Sequence, residues 1–155
     1  NYFTFTMYNK KKNKNFFRLA AILVIISLFS AMPESLKYDD PQILKLLDNH
    51  FKTSNNIEKL GASIYTEKIK RTFQLEIKSR KTELNTNLLN AFSVLFKLST
   101  YTQKPIQKCK LIIHLENYDI PIIAICDYEC SKKYFSNHKI KEKEWRDNCL
   151  IIKTI

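Results

Sequence analysis

Four cysteines hold most of the reactive chemistry this chain could carry: Cys109, Cys126, Cys130 and Cys149. A set of that kind can form disulfides, ligate a metal as thiolates or supply a nucleophile. A zinc site usually starts from a C-x-x-C pair, and no such pair occurs. His114 and His138 are the histidines nearest in sequence, but alternation along the strand predicted around His114 points it away from Cys109. A nucleophilic thiol needs a base within hydrogen-bond reach and a lowered pKa, and the spacing offers neither. Disulfides are therefore expected, with no metal and no cofactor. If Cys126 to Cys130 is extended, their α-carbons lie about 13 Å apart, too far for a bond. Two pairings remain. Cys109–Cys126 with Cys130–Cys149 is favoured over Cys109–Cys130 with Cys126–Cys149; free buried thiols are the remaining alternative.

Other reactive groups are sparse. Asp39/Asp40, Asp127/Glu129 and Glu142/Glu144 are paired acids, but catalytic carboxylates need environments that drive their pKa values apart. Asp127 and Glu129, placed on one strand face beside Lys132 and Lys133, read as solvated surface charge. His50 flanks a helical apolar stripe and reads as a boundary residue. Gly61 is the single glycine of the chain, so no glycine-rich phosphate loop and no nucleophile elbow can be written. The net charge of +11 comes without an Arg-rich or Gly-aromatic motif, and nucleic-acid binding is not expected.

These residues need a scaffold, and the hydrophobic period supplies one. Asp40 and Pro41 open a short helix over residues 41–52, with Ile43, Leu46, Leu47 and Phe51 at helical spacing. The period then changes to two. Ile69, Arg71, Phe73, Leu75 and Ile77 alternate with polar residues as a half-buried strand, with a turn or bulge at residues 65–68. Thr82 caps the longest amphipathic helix, reaching about Thr100, with Leu84, Leu88, Phe92 and Leu95 as its stripe. The clearest hairpin follows. Cys109, Leu111, Ile113 and Leu115 alternate, residues 117–119 turn the chain, and Ile120, Ile122, Ala124 and Cys126 alternate on the return. A register whose paired indices sum to an odd number such as 235 or 237 puts both apolar sets on one side, and a sum of 235 sets Cys109 opposite Cys126. The other face carries Ile112, Ile123 and Ile125 and calls for a helix, a loop or a partner over it. Residues 141–148 form one or two helical turns with Trp145 inward, and residues 149–155 a last strand. The fold class is α+β: a small antiparallel sheet packed by one main helix.

Ahead of this domain lies a segment of another kind. Lys10, Lys11, Lys12, Lys14 and Arg18 precede a run of 14 apolar or small residues, Leu19–Met32, and no acid occurs before Glu34. A helix of that length spans roughly 21 Å, short of the ~30 Å hydrocarbon core. Residues 1–33 are therefore expected to be a signal peptide or an N-terminal membrane anchor. Neither Leu28 nor Phe29 is the small residue a cleavage site prefers. Positive charge before the run keeps that flank cytoplasmic and makes residues 34–155 a single extracytoplasmic domain: periplasmic, secreted or membrane-anchored. No cysteine stands near the run for lipidation, and Met7 is the expected natural start. Of the 26 basic residues five precede Pro33, leaving 21 against 15 acids.

Three functions fit. The favoured one is a non-catalytic binding or assembly module, with a protein partner at Ile112, Ile123 and Ile125 and the membrane as a second partner if the apolar segment is kept. The others are a small exported hydrolase-like enzyme with a cleft between the main helix and the sheet, and a structural subunit of a membrane complex.

Overall fold

A computed structural model describes residues 37–53 and 57–154. The expected signal or anchor segment lies outside the described residues. Among those described, no helix is long and apolar enough to cross a membrane.

The elements run α1 (Asp40–Thr53), β1 (Glu58–Glu67), β2 (Lys70–Ser79), a 3-10 turn (Lys81–Glu83), α2 (Leu84–Ser99), β3 (Lys108–Leu115), β4 (Ile122–Asp127), α3 (Tyr128–Phe135), α4 (Glu142–Cys149) and β5 (Leu150–Thr154). The fold is α+β, and the five strands lie in one sheet in chain order. The sheet is mixed rather than antiparallel, because β2 and β3 run parallel. The 16 residues of α2 span about 24 Å, which carries the chain back to the end where β2 began. The three remaining strand pairs are antiparallel.

Helix α1 starts one residue earlier than the Asp40 cap predicts. Asp39 Oδ1 accepts from the Gln42 amide at 2.9 Å, and the Asp39 amide donates to Gln42 Oε1 at 3.0 Å. This reciprocal arrangement is a capping box. It releases Asp40 to pair with Arg71 on β2. Nor does Thr82 cap α2; it lies within the 3-10 turn, and no side chain caps the helix.

The β1–β2 hairpin turns later than residues 65–68. Glu67 pairs with Lys70, so Lys68 and Ile69 form a two-residue loop with φ values of 45° and 65°. Two consecutive left-handed residues make a type I′ geometry that favours Asn-Gly. A β-branched residue there is strained. Ile69 is 94% exposed and is not part of the strand's buried set. Replacing the loop by Lys68→Asn with Ile69→Gly should stabilise the domain by about 1–2 kcal/mol, read as a higher urea midpoint at unchanged slope. An unchanged midpoint would mean that the turn carries no strain.

One apolar core sits on one side of the sheet. Phe73, Leu75 and Ile77 from β2, Leu111 and Ile113 from β3 and Ala124 from β4 are fully buried. Ile43, Leu47, Phe92, Leu95 and Trp145 from three helices meet them in the same cluster. The helical stripe of α2 and the period-two pattern of three strands thus find each other across one layer.

Candidate functional site

On an alternating sheet the residues that avoid the core share the opposite face. The pairings lay them out as a grid. One row runs Ser63, Gln74, Lys110, Ile125, Ile151. The next runs Gly61, Glu76, Ile112, Ile123, Lys153. Ile112, Ile123, Ile125 and Ile151 are therefore contiguous across β3, β4 and β5, with Lys110 and Lys153 at opposite corners. None of the four belongs to the core cluster or packs against it. Ile112, Ile123 and Ile125 are half-buried and Ile151 is 57% exposed. Single β-branched residues are ordinary on a solvated sheet face; four in contact make an apolar patch. The sequence had shown three of them. Ile151 joins only because β5 pairs beside β4 in the register Ile125↔Ile151.

The other half of this face is polar. His114 Nε2 and Glu76 Oε1 are 2.5 Å apart, and the Tyr65 hydroxyl donates to Gln74 Oε1 at 3.1 Å. A histidine beside a carboxylate is a familiar acid–base pair, but this one stands on an open face. The space between α2 and the sheet, where the alternative hydrolase-like reading would place a cleft, is filled by Leu88, Phe92 and Leu95. A cavity of about 420 Å³ lies instead at the C-terminal end of α2, lined by Phe96, Ser99, Ile106, Tyr128, Glu129 and Lys132 among others. Burial, then Glu129 and Cys109 nearby, push the Tyr128 phenol up from its ordinary value. No histidine lines that cavity. His50 and His138 are both exposed, His138 in a left-handed turn with φ 49°. Among the described residues no group of three or more His, Cys, Asp or Glu could hold a metal.

The cysteines divide into two pairs. Cys130 and Cys149 form a disulfide with α-carbons 5.6 Å apart. Cys130 lies in α3 rather than on an extended continuation of β4, because Asp127 caps that helix by accepting from the Cys130 amide. Asp127 and Glu129 consequently share no strand face. Cys109 and Cys126 stand opposite each other in the register summing to 235, yet both are free, buried thiols. Their geometry meets the register expectation, while the structure has them reduced rather than bonded. The hydrogen bond with Cys126 and complete burial push the Cys109 thiol well above its usual value, so it is a neutral core group and a poor nucleophile. The folded pKa exceeds the unfolded one, so this stabilising contribution holds below about pH 8.5 and is lost as pH rises further. Alkylation should accordingly find no reactive thiol in the native protein, two in denaturant and four in denaturant with reductant. Uptake by the native fold would place Cys109 or Cys126 within reach of solvent.

Comparison with family models, with curated proteins and with solved structures matched none of them.

Proposed function

We propose that this chain is an exported or membrane-anchored binding and assembly module that docks a protein partner on the open face of its sheet. The observation that carries the reading is the contiguous isoleucine patch on a face that none of the four described helices covers. Lys110 and Lys153 frame it, so the partner surface that fits has an apolar centre and carboxylates at its rim. The polar His114–Glu76 half of the face then supplies direction, not catalysis. The disulfide and the basic-then-apolar N-terminal segment support an oxidising, extracytoplasmic setting.

A photo-crosslinking residue in place of Ile123, in the full chain expressed in its own cells, should capture one defined protein. The same probe replacing Ser93, exposed on α2, should not. Adding Ile125→Asp should cut the capture at least ~10-fold, equivalent to about 1.4 kcal/mol of binding, while lowering fold stability by less than ~1 kcal/mol. Equal capture from both positions, or capture indifferent to Ile125→Asp, rules out this face as the docking site.

A further inference from the structure

One end of the domain concentrates exposed lysine around a displayed isoleucine. Ile69 stands at the tip of the β1–β2 hairpin, 94% exposed and held at a φ of 65°, with Lys68 and Lys70 on either side. The same end collects the start of α1, the loop after α2 and the start of β3. Arg71 pairs with Asp40, the Gln107 amide donates to the Arg71 carbonyl at 2.9 Å, and Asp40, Arg71 and Lys104 line one shallow depression. Lys37 joins them, its Nζ donating to the Thr100 carbonyl at 2.6 Å. Lys37, Lys68, Lys70, Lys104 and Lys108 make no ion pair among the described residues. Of the acids at this end, Asp39 caps α1, Asp40 pairs with Arg71 and Asp127 caps α3; Glu67 and Glu129 remain. At the opposite end of the sheet the β3–β4 loop instead carries Glu116 and Asp119 beside the exposed Ile120.

We infer that this basic end, with Ile69 at its apex, seats on an anionic phospholipid surface. An apolar side chain between two lysines matches the layering of a bilayer interface, where ammonium groups meet phosphates and the alkyl group enters the acyl boundary. In sequence, Lys37 follows Met32, the last residue of the apolar run, by five positions. A run held in the bilayer therefore leaves only about 17 Å of fully extended chain before the domain begins. Strain tolerated at a position that buries nothing is the mark of a displayed residue. The inference rests on reading the apolar run as membrane-held. It sets the sheet edge-on to the lipid, with the isoleucine patch facing sideways toward a partner.

The test uses the full chain in phosphatidylcholine vesicles with and without phosphatidylglycerol, carrying Ile69→Trp or, as control, Ile120→Trp. Trp145 is fully buried and serves as the constant background. The indole at position 69 should shift to the blue and be quenched about 2-fold by brominated lipid, more strongly with phosphatidylglycerol. The indole at position 120 should not respond. Adding Lys68→Glu and Lys70→Glu should abolish the dependence on anionic lipid. A chain that floats with the vesicles while position 69 stays unquenched overturns this inference alone. A chain that does not float overturns the membrane-held reading with it.

Discussion

Trp145→Ala should lower the unfolding free energy by about 3–5 kcal/mol, a large share of the about 5–15 kcal/mol that folded domains possess. The side chain is fully buried and joins three helices to the sheet. Its ring meets Phe92 of α2 edge-on at 5.8 Å, stacks on Tyr134 of α3 at 5.5 Å and meets the edge of Phe135 at 5.2 Å. Nε1 donates to Ser131 Oγ at 3.0 Å. Alanine leaves a cavity among aromatic rings that cannot all collapse into it, and orphans the buried Ser131 hydroxyl. The urea midpoint should fall by about 2 M. Trp145→Phe keeps most of the apolar volume and loses only the hydrogen bond, so it should cost about 1–2 kcal/mol. Equal losses from the two variants would show that Ser131, not packing, dominates. A loss below 1 kcal/mol from alanine would mean that α4 is not integral to the core.

The inward placement of Trp145 was readable because a large ring in KEKEWRDN has nowhere else to go. The same logic found α2 and the β3–β4 hairpin, whose periodicity runs long enough to override local ambiguity. Where the pattern is short, it failed. Residues 128–135 (YECSKKYF) hold too few apolar positions to announce a helix, and continuing β4 through Cys130 looked natural. The signal was Asp127, an N-cap residue three positions before the amide it receives. The parallel pairing of β2 with β3 was also available in principle, since a long helix between two strands is the usual way to return a chain to its starting edge. The hairpin tip could not have been found by turn chemistry. Lys-Ile is a poor type I′ pair, adopted because the alternation of Phe73, Leu75 and Ile77 against Ala62 and Ile64 fixes the register on both sides. That local misfit, once located, marks the most exposed isoleucine among the described residues, one that packs against nothing in the core.

For the candidate site the outcome is similar. Ile112, Ile123 and Ile125 were placed on the second face by alternation alone, and the structure brings them together as a period of two requires. What alternation cannot supply is the neighbour across the edge. Ile151 and Lys153 complete the patch only through the pairing of β5, which depends on α3 and α4 doubling back; the sequence showed the turns over 141–148 and the last strand, but not α3. The His114–Glu76 pair was invisible for the same reason. Its two residues are 38 apart and meet through the parallel β2–β3 pairing.

That helical route is held by the Cys130–Cys149 disulfide, and its loss is the second large effect. The bond joins cysteines 19 positions apart, and chain-entropy arithmetic for a loop of that size gives about 3 kcal/mol, drawn from the unfolded ensemble. Cys130→Ser with Cys149→Ser should therefore lower the urea midpoint by about 1.5–2 M. The unfolded chain without the bond is less confined, so faster unfolding is not required for the loss to appear. The native consequence is local. Helices α3 and α4 are eight residues each, too short to persist without tertiary support, and β5 follows α4 without a linker. Amide exchange in the serine variant should thus rise first in α3, α4 and β5, ahead of β1–β4 and α2. Because β5 carries Ile151 and Lys153, the variant should also weaken capture by the probe at position 123 even under conditions where the domain remains folded. Unaltered exchange in β5 with a lowered midpoint would confine the disulfide's role to the unfolded state, and would uncouple it from the docking face.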